Sequence, residues 1–131
     1  MIKGGCLCGG IRFELDGSVT MCRYCHCTNC RKFSGTANAA WGLANAVEFK
    51  QTVTNTEVMK FDAGLGSLRT FCSVCGSPLW FHPKDMPEFI GIALGAIDEG
   101  EVSPPGVHLW VRSSPAWETI EGDLPQCQKD T

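Results

Sequence analysis

Short runs in which apolar residues alternate with polar ones recur along the chain, and a period of two belongs to strands with one buried face. They are "IRFEL" (11–15), "VEFK" (47–50), "EVMKF" (57–61), "LRTFC" (68–72), "PLWFH" (78–82), "FIGIALG" (89–95) and "VHLWVR" (107–112). β-Branched and aromatic residues dominate these runs, as a pleated surface favours. Turn-forming clusters separate them: "DGS" (16–18), "DAGLGS" (62–67), "HPKDMP" (82–87) and "SPPG" (103–106). No segment offers a long amphipathic helix. The pattern therefore predicts an all-β (mainly β), turn-rich fold.

Composition narrows the class. The 131 residues, 44% hydrophobic and 19% charged, suffice for a core without disulfides, so we expect a single domain spanning 1–131. No apolar run approaches the roughly 18 residues of a spanning helix. "MIKGGCLCGG" at the start lacks the apolar core of a secretory signal, and a cytoplasmic location is expected. Thiols stay reduced there, so nine cysteines, an odd number, read as metal ligands or reactive groups rather than a disulfide framework. The formal charge of -3, more negative once thiols ionise, argues against a nucleic-acid or anionic-membrane partner.

The cysteines fall into groups. Cys6 and Cys8, two apart on an extended segment, share a face, and Cys72 and Cys75 can grip the same ion from a tight turn. Gly9-Gly10 and Gly76 follow the two pairs and permit the left-handed backbone that turns amides toward sulfur. Four thiolates from distant hairpins would make a closed tetrahedral zinc site that contributes folding energy. The second group lies in "MCRYCHCTNCRKFSG" (21–35). Cys25, Cys27 and Cys30 supply three ligands in six residues, one short of a tetrahedron, which leaves a position for water or an incoming thiol. Cys22, three residues before Cys25, would instead close the site, and spacing leaves both readings open. His26 points away from its neighbours in an extended segment, so it is expected to support a ligand or to face solvent.

Five stretches, "GGCLCGGIRFEL" (4–15), "CHCTNCRKFSG" (25–35), "FCSVCGSPLWF" (71–81), "GAIDEG" (95–100) and "HLWVRSSPAWETIEGDLPQ" (108–126), occur in the order found in one family. The chain resembles the glutathione-dependent formaldehyde-activating enzymes (Gfa), which include the centromere protein V group. The resemblance implies a β-tent fold of antiparallel sheets pinned by a four-cysteine site. It implies two zinc ions per chain, a structural one on Cys6, Cys8, Cys72 and Cys75 and an active-site one on Cys25, Cys27 and Cys30, the last three being the catalytic residues. The implied activity is a carbon-sulfur lyase that forms S-(hydroxymethyl)glutathione from glutathione and formaldehyde. Cys22 and Cys127 depart from the family pattern; Cys22 bears on whether the second zinc is open, Cys127 on the tail.

Such a reaction needs a thiolate nucleophile and a donor for the alkoxide formed on the aldehyde. Arg31 and Lys32 are placed either to meet a carboxylate of glutathione or another small thiol, with Thr28, Asn29 and Ser34 as neutral donors, or to form a solvated surface turn, and Trp41 is placed to wall a pocket beside formaldehyde or another small aldehyde. Trp80, Phe81, Trp110 and Trp117 read as core, His82 and His108 as structural, and Asp98 and Glu118 as turn or surface groups. No Ser-His-Asp order or phosphate-cradling loop appears. The competing reading is a non-catalytic β-tent zinc module that binds a thiol or a protein, with both metal sites closed. A sulfoxide reductase using Cys127 would leave the Cys25–Cys30 cluster unexplained.

Overall fold

The alternation in "IRFEL" predicts three inward side chains, and in the computed structural model, which describes residues 1–64 and 66–130, Ile11, Phe13 and Leu15 are fully buried. Leu65, within the turn expected at 62–67, lies outside the described residues. The strands are Ile2–Gly5 (β1), Ile11–Leu15 (β2), Thr20–Cys25 (β3), Ala39–Asn45 (β4), Phe49–Thr54 (β5), Val58–Asp62 (β6), Ser67–Cys72 (β7), Pro78–Pro83 (β8), Phe89–Ala93 (β9), Ile97–Glu99 (β10) and His108–Leu109 (β11). One short helix, Thr28–Ser34 (α1), follows β3.

Two sheets form, ordered β10-β1-β2-β5 and β11-β3-β4-β9-β8-β7-β6. Neighbours run antiparallel except β11, which lies parallel to β3 through His108 opposite Tyr24 and Leu109 opposite Cys25. Aromatic rings lock the sheets together. Phe13 meets Trp80 edge-on at 6.2 Å and Phe49 at 5.5 Å, and Phe49 lies 4.9 Å from Trp80. Such pairs add to the burial of the rings themselves.

The expected strands at 11–15, 57–61, 68–72 and 78–82 form within a residue or so. The run at 89–95 stops at Ala93, where a 3₁₀ turn begins. The run at 47–50 shifts, because Ala46–Glu48 form a 3₁₀ turn and β5 starts at Phe49. The run at 107–112 shortens to two residues, since Trp110 takes a left-handed conformation, φ 59°, that breaks the extended chain. Strand β4, "AAWGLAN", escaped the pattern: it lies between β3 and β9 with both faces covered, where alanine and glycine fit although they form strands weakly. Gly42 is required there, because a Cβ would come within 2.3 Å of Val19 Cγ1 and 2.8 Å of Cys22 Sγ.

Candidate metal centres and the adjoining cavity

Cys6 and Cys8 come from the turn that links β1 to β2, Cys72 from the end of β7, and Cys75 from the turn that follows. Their four sulfurs lie within 4.8 Å of one another. Cys6 Sγ is 3.6 Å from Cys8 Sγ, and Cys8 Sγ is 3.8 Å from Cys72 Sγ. An edge of roughly 3.8 Å is that of a sulfur tetrahedron around zinc at about 2.3 Å. Backbone amides support the set: Ile11 N–H donates to Cys6 Sγ at 3.3 Å and Val74 N–H to Cys72 Sγ at 3.4 Å. Gly76, φ 75°, turns its N–H onto Cys72 O at 2.9 Å and closes the second turn. The Ser77 hydroxyl and N–H hold the Cys75 thiol down to about 5. The donor set fits zinc.

The second cluster is built by one change of direction. Strand β3 ends at Cys25, Cys27 caps α1, and Cys30 lies in its first turn, so the three sulfurs again fall within 4.8 Å. Cys27 Sγ accepts the Cys30 N–H at 3.3 Å, filling the place a serine or aspartate takes at other helix starts. Gly35, φ 67°, ends the helix by donating its N–H to Arg31 O. Among the described residues no fourth His, Cys, Asp or Glu joins the cluster. Cys22 is buried elsewhere, its sulfur 4.0 Å from Val19 O and against Gly42. Hydrogen bonds from Cys25 and then Cys30, with the Cys30 N–H and the Arg69 charge adding, hold the Cys27 thiol well below its ordinary range. Bonding with Cys27 and Cys30, reinforced by burial, pushes Cys25 up. Three sulfurs this close cannot all ionise without a cation.

A buried network fixes the segment from behind. His26 is fully buried, so of its two expected placements the solvent-facing one does not hold. Its N–H donates to Leu109 O at 2.9 Å, its Nε2 lies 2.9 Å from His108 Nδ1, and its Nδ1 lies 2.7 Å from Glu118 Oε1 and 3.2 Å from Ser114 Oγ. Glu118, expected at the surface, is instead drawn inward, and Asn38 Nδ2 donates to its other oxygen at 3.2 Å. Trp117 next to it is 73% exposed and is not core. Both departures have one cause: the segment after Pro115 turns the carboxylate toward His26 and the indole outward.

A cavity of about 360 Å³ opens beside the second cluster, lined by Cys25, Cys27, Cys30, Trp41, Arg69 and Phe81 among others. Met21 and Trp110 also line it, and among the described residues they are the non-glycine residues with positive φ, 53° and 59°. Such strain is found where a site needs a side chain in a particular place. The candidate substrate residues are dispersed. Trp41 lines this cavity, whereas Ser34 borders a larger hollow of about 600 Å³ with Cys6, Arg12 and Asp98, which Trp41 also borders. Asn29 and Lys32 border a third hollow with Phe33. Arg31 donates Nη1 to Ser113 O at 3.0 Å, tying α1 to the chain after β11.

Arg69 is what sequence reasoning missed. It is 8% exposed, donates Nη2 to Cys30 Sγ at 3.5 Å, and stacks over Phe33 at 5.4 Å and Trp41 at 6.0 Å. Its alternation with Thr70 in β7 gives no sign that both would be buried.

Residues 1–113 match the sequence model of the family described as glutathione-dependent formaldehyde-activating enzyme. The chain is 30% identical to a Halomonas elongata protein named "Putative glutathione-dependent formaldehyde-activating enzyme", with 92% of this chain and 82% of that one covered. In fold it is similar to a Rhodobacter sphaeroides protein of known crystal structure, with a TM-score of 0.58, 22% identity, and 76% of this chain and 90% of that one covered.

Proposed function

The chain belongs to the glutathione-dependent formaldehyde-activating enzyme family, and we propose that it is a zinc-dependent carbon-sulfur lyase forming S-(hydroxymethyl)glutathione from glutathione and formaldehyde, or acting on a related thiol adduct. One observation carries the reading: three cysteine sulfurs converge beside a cavity without a fourth ligand from the described residues. On this reading Cys6, Cys8, Cys72 and Cys75 hold a structural zinc, Cys25, Cys27 and Cys30 hold the second, and residues 1–131 act as one cytoplasmic domain. Zinc bound by the three thiolates supplies Lewis acidity that favours ionisation of a thiol near neutral pH.

The chain's own residues do the remaining work. Strand β3 and the first turn of α1 fix the three sulfurs, and the His26–Glu118 contact keeps the connecting segment from shifting. Trp41, Phe81 and Leu109 wall the cavity, restrict water and hold the aldehyde against the thiol. In the reaction the thiol gives its proton to solvent, and a sulfur lone pair forms the C–S bond to the carbonyl carbon. The C=O π pair moves onto oxygen, which takes one proton from solvent. Nothing is oxidised or reduced.

The test uses protein substituted with Co²⁺. Glutathione is expected to shift the thiolate-to-metal absorption of one of two cobalt ions per chain and to leave the other unchanged. A protein whose two centres both ignore glutathione would be a non-catalytic zinc module, and the proposal would fall.

A further inference from the structure

Among the described residues, Arg69 is a buried cation with no carboxylate partner, and the sulfurs of the second cluster are its only anionic neighbours. The guanidinium has five N–H donors; Nη2 meets Cys30 Sγ, while Nε and Nη1 have no partner at all. The ion pairs among the described residues are Arg12 with Asp98, His26 with Glu118 and Lys84 with Asp62, and none includes Arg69. Leaving a buried charge so poorly matched is costly, and a hydrophobic side chain at this position of β7 would pack without that cost. Phe33 and Trp41 hold the guanidinium plane in place. Of the other charged groups lining the cavity, Arg23 is less deeply buried than Arg69 and donates Nη1 to Met21 O at 3.1 Å, and Asp130 accepts from Trp110 Nε1 at 2.8 Å.

We propose that Arg69 makes an oxyanion site in this cavity, binding the negatively charged oxygen that lies two or three bonds from the sulfur of a thiol held at the Cys25–Cys27–Cys30 cluster. During addition that oxygen is the alkoxide of the new hemithioacetal. In a small thiol that carries a carboxylate near its sulfur, the same donors meet the carboxylate. The inference rests on the thiol-binding reading above and adds to it the group that reads charge. Planarity matters, since the guanidinium, held between Phe33 and Trp41, presents its N–H donors in fixed directions that an ammonium cannot reproduce.

Mercaptoacetate and 2-mercaptoethanol are thiols of similar length, one anionic and one neutral, and their binding to the zinc-loaded protein is measured by calorimetry and by quenching of tryptophan fluorescence. Wild type is expected to bind mercaptoacetate at least tenfold more tightly, the lower end for a buried charge-assisted hydrogen bond. In R69M the preference should fall below about twofold with mercaptoethanol affinity unchanged, and R69K should lose most of it. Equal binding of the two thiols by wild type, or a preference that survives in R69M, overturns the role of Arg69 alone. A preference lost in R23M but kept in R69M moves the site to the other arginine and overturns it as well. Should R69M not fold, full preference in R69K has the same force. Failure of wild type to bind either thiol overturns both this inference and the thiol site it rests on.

Discussion

The two cysteine clusters make opposite demands on the chain, and Cys72→Ser set against Cys27→Ser exposes the difference. Cys8 and Cys72 lie 64 positions apart, so a metal held by both closes a long loop. The chain entropy of a cross-link of that span is about 4 kcal/mol, a large part of the roughly 5–15 kcal/mol that holds a domain together. The second cluster spans six residues, already fixed by β3 and α1, and its cross-link contributes at most about 2 kcal/mol on the same reckoning. Serine is a preferred helix cap, so Cys27→Ser keeps the start of α1. Cys72→Ser should lose one zinc and, at roughly 3–4 °C per kcal/mol, lower Tm by about 12 °C or more. Cys27→Ser should lose the other zinc and shift Tm by less than about 8 °C. Metal content by mass spectrometry is measured beside circular-dichroism melts. Equal losses of Tm, or a zinc content untouched by Cys27→Ser, would refute the division into a structural and a working site.

Three further outcomes are expected. Gly42→Ala drives a Cβ into Val19 and the Cys22 sulfur and should cost about 1–3 kcal/mol in urea unfolding, part of which returns when Cys22→Ala is added. Glu118→Ala removes the acceptor facing His26 Nδ1 and Asn38 Nδ2; a loss of about 1–3 kcal/mol and faster release of the second metal to a chelator should follow. Burial first, then the neighbouring His26, holds the His108 pKa below its ordinary value, against an opposing pull from Glu118. The unfolded chain therefore takes up that proton first, so the stability His108 contributes is present above about pH 6.5, declines as pH falls toward its lowered folded value, and levels off below it. His108→Gln should flatten that limb in urea titrations at pH 7.5 and 5.5.

Strand period and cysteine spacing made the outer frame readable. "IRFEL" and "LRTFC" alternate because each has a distinct inner face, and Cys6/Cys8 and Cys72/Cys75 pair because short extended or turning segments can aim two sulfurs at one point. The interior around the second cluster was not readable from local pattern. Helix α1 has seven residues, too few for an apolar period. Glu118 reaches His26 across 92 positions, and no local rule links residues so far apart. Arg69 looks like any outward strand arginine until β7 is seen to lie between β6 and β8 with Phe33 laid over it. The same holds for Cys22, whose place against Gly42 depends on the register of β3 with β4.

The parallel pairing of β11 with β3 also sets an order of assembly during synthesis. All four cysteines of the first cluster have left the ribosome once Cys75 emerges, so the nascent chain can be stapled while residues 76–131 have yet to emerge. His108, Leu109 and Glu118, which back the Cys25–Cys30 segment, arrive only afterwards. A stalled or truncated chain would therefore carry a firm metal-bound frame around thiols that still lack their backing, and would be the form most open to oxidation.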